Sequence, residues 1–186
     1  MANRAYLYFT DDVSALTFED HYQKRDGSER NYFDSRHQFP LAWFLFFEPE
    51  SVLLQERPDD WPDLYLVREW SRAKADFERR AALLLSWFSG EFSHDDMQTF
   101  LVWAESLREA PDEVFLVVDP RELEIEETSA PAMRAALAAM ENPALSSADK
   151  FQQLDAWSFT RQQDKPERRY EKVFGNYYGP SDEGAG

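Results

Sequence analysis

Cysteine is absent from the 186 residues, which excludes a disulfide framework, thiolate metal sites and cysteine nucleophiles together. Glycine is scarce, at six, and Gly90, Gly175 and Gly179 each stand alone, so no Gly-rich phosphate-binding loop can be drawn. A Gly-x-Ser-x-Gly nucleophile elbow is missing too. Long apolar runs are lacking: the longest, Phe39 to Phe47, includes Pro40 and falls far short of the roughly 20 residues of a membrane span. Met1 to Tyr8 is followed at once by Asp11-Asp12, which is not the pattern of an export leader, and no membrane association is expected. Positive charge is also in short supply. Twenty basic side chains against 36 acidic ones leave −16, the wrong sign for binding nucleic acid through its phosphates. The expectation is a cytoplasmic protein whose electrostatic match is a basic partner.

What is abundant is aromatic side chain: 15 Phe, 8 Tyr and 6 Trp. A chain of this length buries roughly 70% of its unfolded surface, so it folds without a metal or a staple. The acidic surplus is uneven. Residues 48–70 hold seven acidic and two basic side chains, a balance of −5, and residues 111–149 hold nine and two, a balance of −7. Residues 71–110 balance to −2 and residues 150–186 to zero. Both acidic stretches are rich in loop signals, which places their charge on exposed connections.

The element pattern points to an α+β fold in a single domain over residues 1–178. A small mixed or antiparallel sheet of three or four strands packs with four or so helices, and residues 179–186 form a disordered tail. Ala5 to Phe9 reads as a strand, and residues 10–38 as a loop with a turn at Asp26-Gly27-Ser28 and room for one short helix. Leu41 to Phe47 fits either a buried strand or a buried helix, and Val52 to Leu54 a further turn. Residues 55–63 form a proline-bracketed acidic loop, and Leu64 to Arg68 a strand. Trp70, Ala73, Phe77, Ala81, Leu84 and Phe88 mark a helix over about 69–89, with Asp76 and Arg80 expected as an exposed pair four apart and Gly90 as its C-terminal cap. Ser93 caps a second helix with Met97, Phe100, Leu101, Ala104 and Leu107 inward. Val114 to Val118 reads as a central strand, and Leu123 to Glu127 as an edge strand or loop. Ser129 and Ser147 cap two further helices, the first stopped by Asn142-Pro143.

No catalytic constellation emerges. His94-Asp95 invites comparison with metal-dependent hydrolases that use a His-Asp doublet. No spacing selects His37, Asp119 or Asp155 as further ligands, however, and Ser93, Asp95 and Asp96 already have helix-start chemistry. Asp59, Asp60 and Asp63, and likewise Glu124, Glu126 and Glu127, read as solvated charge, because no EF-hand glycine accompanies them. Catalytic residues, cofactors and metals are therefore each expected to be none. Trp61 sits between Asp60 and Pro62 and is either folded onto the core or an aromatic anchor rimmed by carboxylates. Tyr170, Phe174, Tyr177 and Tyr178 space as one apolar face, which either docks on its own domain, the preferred reading, or forms a partner surface.

The opening Met1-Ala2-Asn3-Arg4-Ala5-Tyr6-Leu7-Tyr8, and Phe115-Leu116-Val117-Val118-Asp119 followed by Pro120-Arg121-Glu122-Leu123, resemble two elements of a family of small acidic bacterial proteins. That family opens with a Met-Ala-Asn-Arg strand and is similar to immunity proteins of type VI and polymorphic toxin systems. The resemblance spans about 20 residues of the chain and implies a partner, a cognate toxin, but no functional residue. Together with the acidic balance it gives the leading expectation: an immunity protein, not an enzyme, that occludes a toxin with a basic surface. The expected toxin-binding residues are Glu48, Glu50, Asp59, Asp60, Trp61, Asp63, Glu124, Glu126 and Glu127. The alternatives are a metal-dependent hydrolase using the His-Asp doublet and an adaptor or chaperone for a secreted effector.

Overall fold

In the computed structural model the described residues are 4–14, 16, 31–36, 39–57, 60–111, 113–120, 129–158 and 173–178. They form an α+β arrangement of one six-stranded antiparallel sheet and five helices. The strands are β1 (Arg4–Thr10), β2 (Tyr32–Arg36), β3 (Val52–Arg57), β4 (Asp60–Glu69), β5 (Phe115–Asp119) and β6 (Asn176–Tyr178). Their spatial order is β3-β4-β5-β1-β2-β6, so β5, the most β-branched run, lies inside the sheet as its composition predicts. The helices are α1 (Leu41–Phe44), α2 (Trp70–Trp87), α3 (His94–Ser106), α4 (Ala130–Glu141) and α5 (Ser147–Ser158).

Alternation along each strand divides the sheet into two faces. Leu7, Phe9, Phe33, Leu64, Leu66, Leu116 and Val118 join the helices in the main core. Phe46 and Phe77 stack there with ring centroids 4.7 Å apart, and Phe100 packs on Phe33 at 5.3 Å and on Phe174 at 5.0 Å. The opposite face gathers Tyr8, Leu16, Tyr65 and Val117, flanked by Tyr6, Tyr32, Val67 and Phe115.

The segment Leu41 to Phe47 resolves as a helix of one turn and a tight continuation. Pro40 precedes it as the N-cap, and Leu45, Phe46 and Phe47 donate to the carbonyls of Ala42, Trp43 and Phe44. All seven residues are fully buried. Helices α2 and α3 have the inward residues that their periodicity predicts, and Ser93 with Asp96 forms the reciprocal cap that starts α3. For α5 the cap is Ser146, paired with Asp149, rather than Ser147. Ser129 stands at the start of α4 without a side-chain capping bond. The C-cap of α2 is Phe88, with Gly90 two residues on in the left-handed region at φ +82°.

Several expectations are corrected, beginning with the strand count: the described residues form six strands where three or four were expected. Residues 32–36, expected in a loop, form β2, whose Asp34 and Ser35 are buried. Val52, expected in a turn, opens β3, and the acidic loop is mostly the β3–β4 hairpin. There Gln55 pairs with Asp63 and Arg57 with Asp60, so the register slips across Trp61-Pro62, where a proline is tolerated. Asp76 and Arg80 are buried rather than exposed. Tyr177 and Tyr178 occupy opposite faces of β6, with Tyr177 opposite Phe33 and Tyr178 opposite Tyr32. The Asp26-Gly27-Ser28 turn, the 123–127 segment, Tyr170 and the 179–186 tail lie outside the described residues.

Candidate functional site

Of the expected interface residues, Glu48 has the most definite position. It follows the buried 41–47 segment and enters a cluster of three arginines and three carboxylates. Arg68 at the end of β4 places Nη2 2.7 Å from Glu48 Oε2 and 2.7 Å from Asp76 Oδ2. Arg79 on α2 meets Asp76 Oδ1 at 2.7 Å, Glu48 Oε1 at 3.6 Å and Glu141 Oε1 at 2.5 Å. Arg80, only 2% exposed, donates Nε to Glu141 Oε1 at 2.6 Å and Nη1 to the carbonyls of Phe47 at 2.6 Å and Leu45 at 3.2 Å. The cluster ties β4, α2, α4 and the end of the 41–47 segment together. Its formal charges cancel, so Glu48 is spent inside the fold.

Glu141 reports on this cluster. Burial pushes its carboxyl up, but hydrogen bonds from Arg79 and Arg80, with their positive charges, more than reverse that and hold it below its ordinary value. The Arg79 guanidinium is correspondingly pushed up, chiefly by its hydrogen bonds to Glu141 and Asp76. A lowered folded-state value means that Glu141 adds stability above the unfolded glutamate value near 4.3, and that this is lost as pH falls further through the folded value. We therefore expect Glu141→Gln to reduce the urea midpoint at pH 7. The difference from the parent should shrink steadily below about pH 4.3. Urea titrations from pH 7 to pH 2 check this, and a pH-independent difference would assign the effect of Glu141 to packing alone.

The other expected residues that the structure describes lie in the 3₁₀ turn before β3 and on β4. Glu50 is exposed in the 3₁₀ turn Pro49–Ser51. Asp63 is half-buried on β4 and lies within 3.3 Å of the Tyr65 hydroxyl. Asp60 and Trp61 are placed by their backbone in β4. Asp59, Glu124, Glu126 and Glu127 lie outside the described residues. His94 and Asp95 are exposed in the first turn of α3. Among the described residues no group of three or more histidine, aspartate or glutamate side chains could hold a metal ion, and no helix is long and apolar enough to cross a membrane.

The surface that sequence reasoning missed is the outer side of α3. Val102 is 63% exposed and Trp103 37% exposed, alongside exposed Asp95, Gln98, Thr99 and Glu105. The Trp103 ring lies parallel to Tyr177 of β6, at 5.7 Å and 14°. Ser106 Oγ donates to the Trp103 carbonyl at 2.7 Å and meets the Tyr177 hydroxyl at 2.7 Å. Tyr178, on the far side of the same strand, is 42% exposed and stacks on Tyr32 at 4.9 Å.

The signal for this surface was available. Val102 and Trp103 are large apolar residues off the inward stripe of Met97, Phe100, Leu101, Ala104 and Leu107. The charge arithmetic concealed it, because a window over 71–110 merges the arginines of α2 with α3. Counted from Glu91 to Glu113, the chain holds seven acidic side chains and one basic one, a balance of −6. Comparison with protein-family models, curated proteins and solved structures returns no match at all.

Proposed function

We propose that this chain is a cytoplasmic immunity protein. It binds a cognate secreted bacterial toxin, a nuclease or another enzyme with a basic cleft, and occludes the active site. The observation that carries this reading is the disposition of charge. The chain bears −16 overall, while Arg68, Arg79 and Arg80 are each engaged by carboxylates within the fold. Because that cluster of three arginines and three carboxylates is neutral, the whole surplus of −16 is carried by the rest of the chain, where a cationic partner can meet it. Carboxylates presented to a cleft built for phosphates accelerate association, toward ~10⁸ M⁻¹s⁻¹ at low salt. The resemblance of the two strand motifs to the acidic immunity-like family points the same way.

The first test is whether the adjacent reading frame encodes a large secreted effector with a C-terminal toxin domain, which then serves, purified, as the probe. An equimolar amount of the chain should abolish its nuclease activity, and the rate of capture should fall steeply with added salt. Reversing Asp59, Asp60 and Asp63 to lysine together should slow capture and flatten that salt dependence by weakening the long-range attraction, while leaving the dissociation rate near that of the parent. Binding without inhibition would replace this reading with an effector adaptor, and a stoichiometric transition metal in the purified protein would replace it with the hydrolase.

A further inference from the structure

The geometry points to the outer side of α3, centred on Val102 and Trp103, as the docking surface for the basic partner, with the neighbouring carboxylates as its rim. This rests on the reading of the chain as a binder of a cationic protein and identifies which surface does the binding.

Three observations combine here. Val102 is 63% exposed and Trp103 37%, side by side on a helix whose other large apolar residues are buried. Tryptophan is prominent among residues that dominate interface energetics, because one flat ring displaces much water at little entropic cost. The Trp103 ring is also pre-positioned: Tyr177 lies parallel beneath it, and the tyrosine hydroxyl is held by Ser106 of the same helix. An anchor already held in place loses less freedom on binding. Finally, Asp95 and Glu105 are exposed on the same helix, and Glu91 is exposed just ahead of it.

Charge decides the occupant. A second copy related by a twofold axis would set this acidic segment against itself, and like charges brought together across an interface are repulsive. A cationic surface with an apolar recess satisfies both the rim and the anchor. Glu105 already holds Lys74 at 2.9 Å across to α2, a small example of the pairing that this rim supports.

The probe is an 18-residue amphipathic helix of lysine and leucine, with a glutamate–leucine peptide as control, titrated into the full chain at low salt. Only the cationic peptide should bind, and backbone amide shifts should concentrate over Asp95–Ser106 and Asn176–Tyr178. Trp103→Ala should weaken binding at least tenfold. Val102→Ser, at a position too exposed to disturb the fold, should weaken it several-fold with an unchanged circular dichroism spectrum. Equal affinity of parent and Val102→Ser, or shifts scattered over the acidic surface, would overturn the assignment. So would concentration-dependent dimerisation abolished by Trp103→Ala, which would assign the face to a second copy. Toxin inhibition separates the two levels: if the Val102→Ser/Trp103→Ala protein inhibits as well as the parent, the face is wrong and the function stands. If the parent itself fails to inhibit, the function is wrong whatever the peptide does.

Discussion

Replacing Arg80 with alanine is expected to remove about 3–5 kcal/mol of stability, from two buried carbonyls left unsatisfied together with the cavity that opens. The reason lies in the buried 41–47 segment. Its helix is so short that its last carbonyls have no intrahelical donors, a deficit common to every helix end. Elsewhere water would satisfy them, but Leu45 and Phe47 are fully buried. The Nη1 of Arg80 supplies both, at 3.2 and 2.6 Å. Alanine leaves two buried carbonyls without that donor and a cavity the size of the arginine side chain beyond Cβ. Arg80→Met fills the cavity without restoring the donors, so it should recover only part of the loss. Arg80→Lys keeps the charge but cannot serve Glu141 and both carbonyls with the same planar fork. Urea titration at pH 7 reads the ranking as a falling midpoint at constant slope. An Arg80→Met protein as stable as the parent would show that the carbonyls find other donors.

The second large effect is expected at Gly175, where a controlled comparison exists. Gly175 and Gly90 adopt the same left-handed conformation, at φ +84° and +82°. A side chain at Gly90 would meet nothing within 4 Å, whereas one at Gly175 would lie 2.7 Å from Trp43 Cζ2 and 3.0 Å from the Asp34 carbonyl oxygen. Neither neighbour can yield easily. Trp43 is fully buried and donates Nε1 to the Phe174 carbonyl at 2.8 Å, and the Asp34 oxygen belongs to the backbone of β2. Gly90→Ala should therefore cost only the conformational penalty of about 1–2 kcal/mol. Gly175→Ala should add an overpacking cost of about 1–3 kcal/mol to that. Thermal and urea unfolding of the two variants together isolate the steric part as their difference. Equal losses would mean that the indole and β2 shift freely.

The fold was legible wherever apolar periodicity was strong. The inward stripes of α2 and α3, the aromatic β1 and the β-branched β5 stand out because each buries a continuous face. β2 did not, since Tyr-Phe-Asp-Ser-Arg holds residue types depleted in strands. Its Asp34 is tolerated because Arg4 Nη1 pairs with it at 2.6 Å and Asn176 Nδ2 donates at 3.1 Å, partners from β1 and β6 that no local window contains. The hairpin of β3 and β4 was hidden by Trp61-Pro62, which signals a loop yet sits where the register slips. The pairing of Asp76 with Arg80 failed for a related reason. Spacing of four makes two side chains neighbours on a helix, but Arg80 is drawn inward to carbonyls 33 and 35 residues earlier in the chain. At the candidate site the sequence supplied the sign of the charge. It could not distinguish a carboxylate held by arginines, such as Glu48, from one facing solvent.

The last strand has a consequence for how the protein is made. β6 lies beside β2, and the Trp43 indole is held by a carbonyl 131 residues later in the chain. A nascent chain emerging from the ribosome can pair β1 with β2 early, yet that tryptophan stays unlatched until Phe174, 131 residues later, has also emerged. Ribosome-bound fragments ending before Phe174 should accordingly be protease-sensitive around Trp43, and fragments long enough to free β6 from the exit tunnel should be protected.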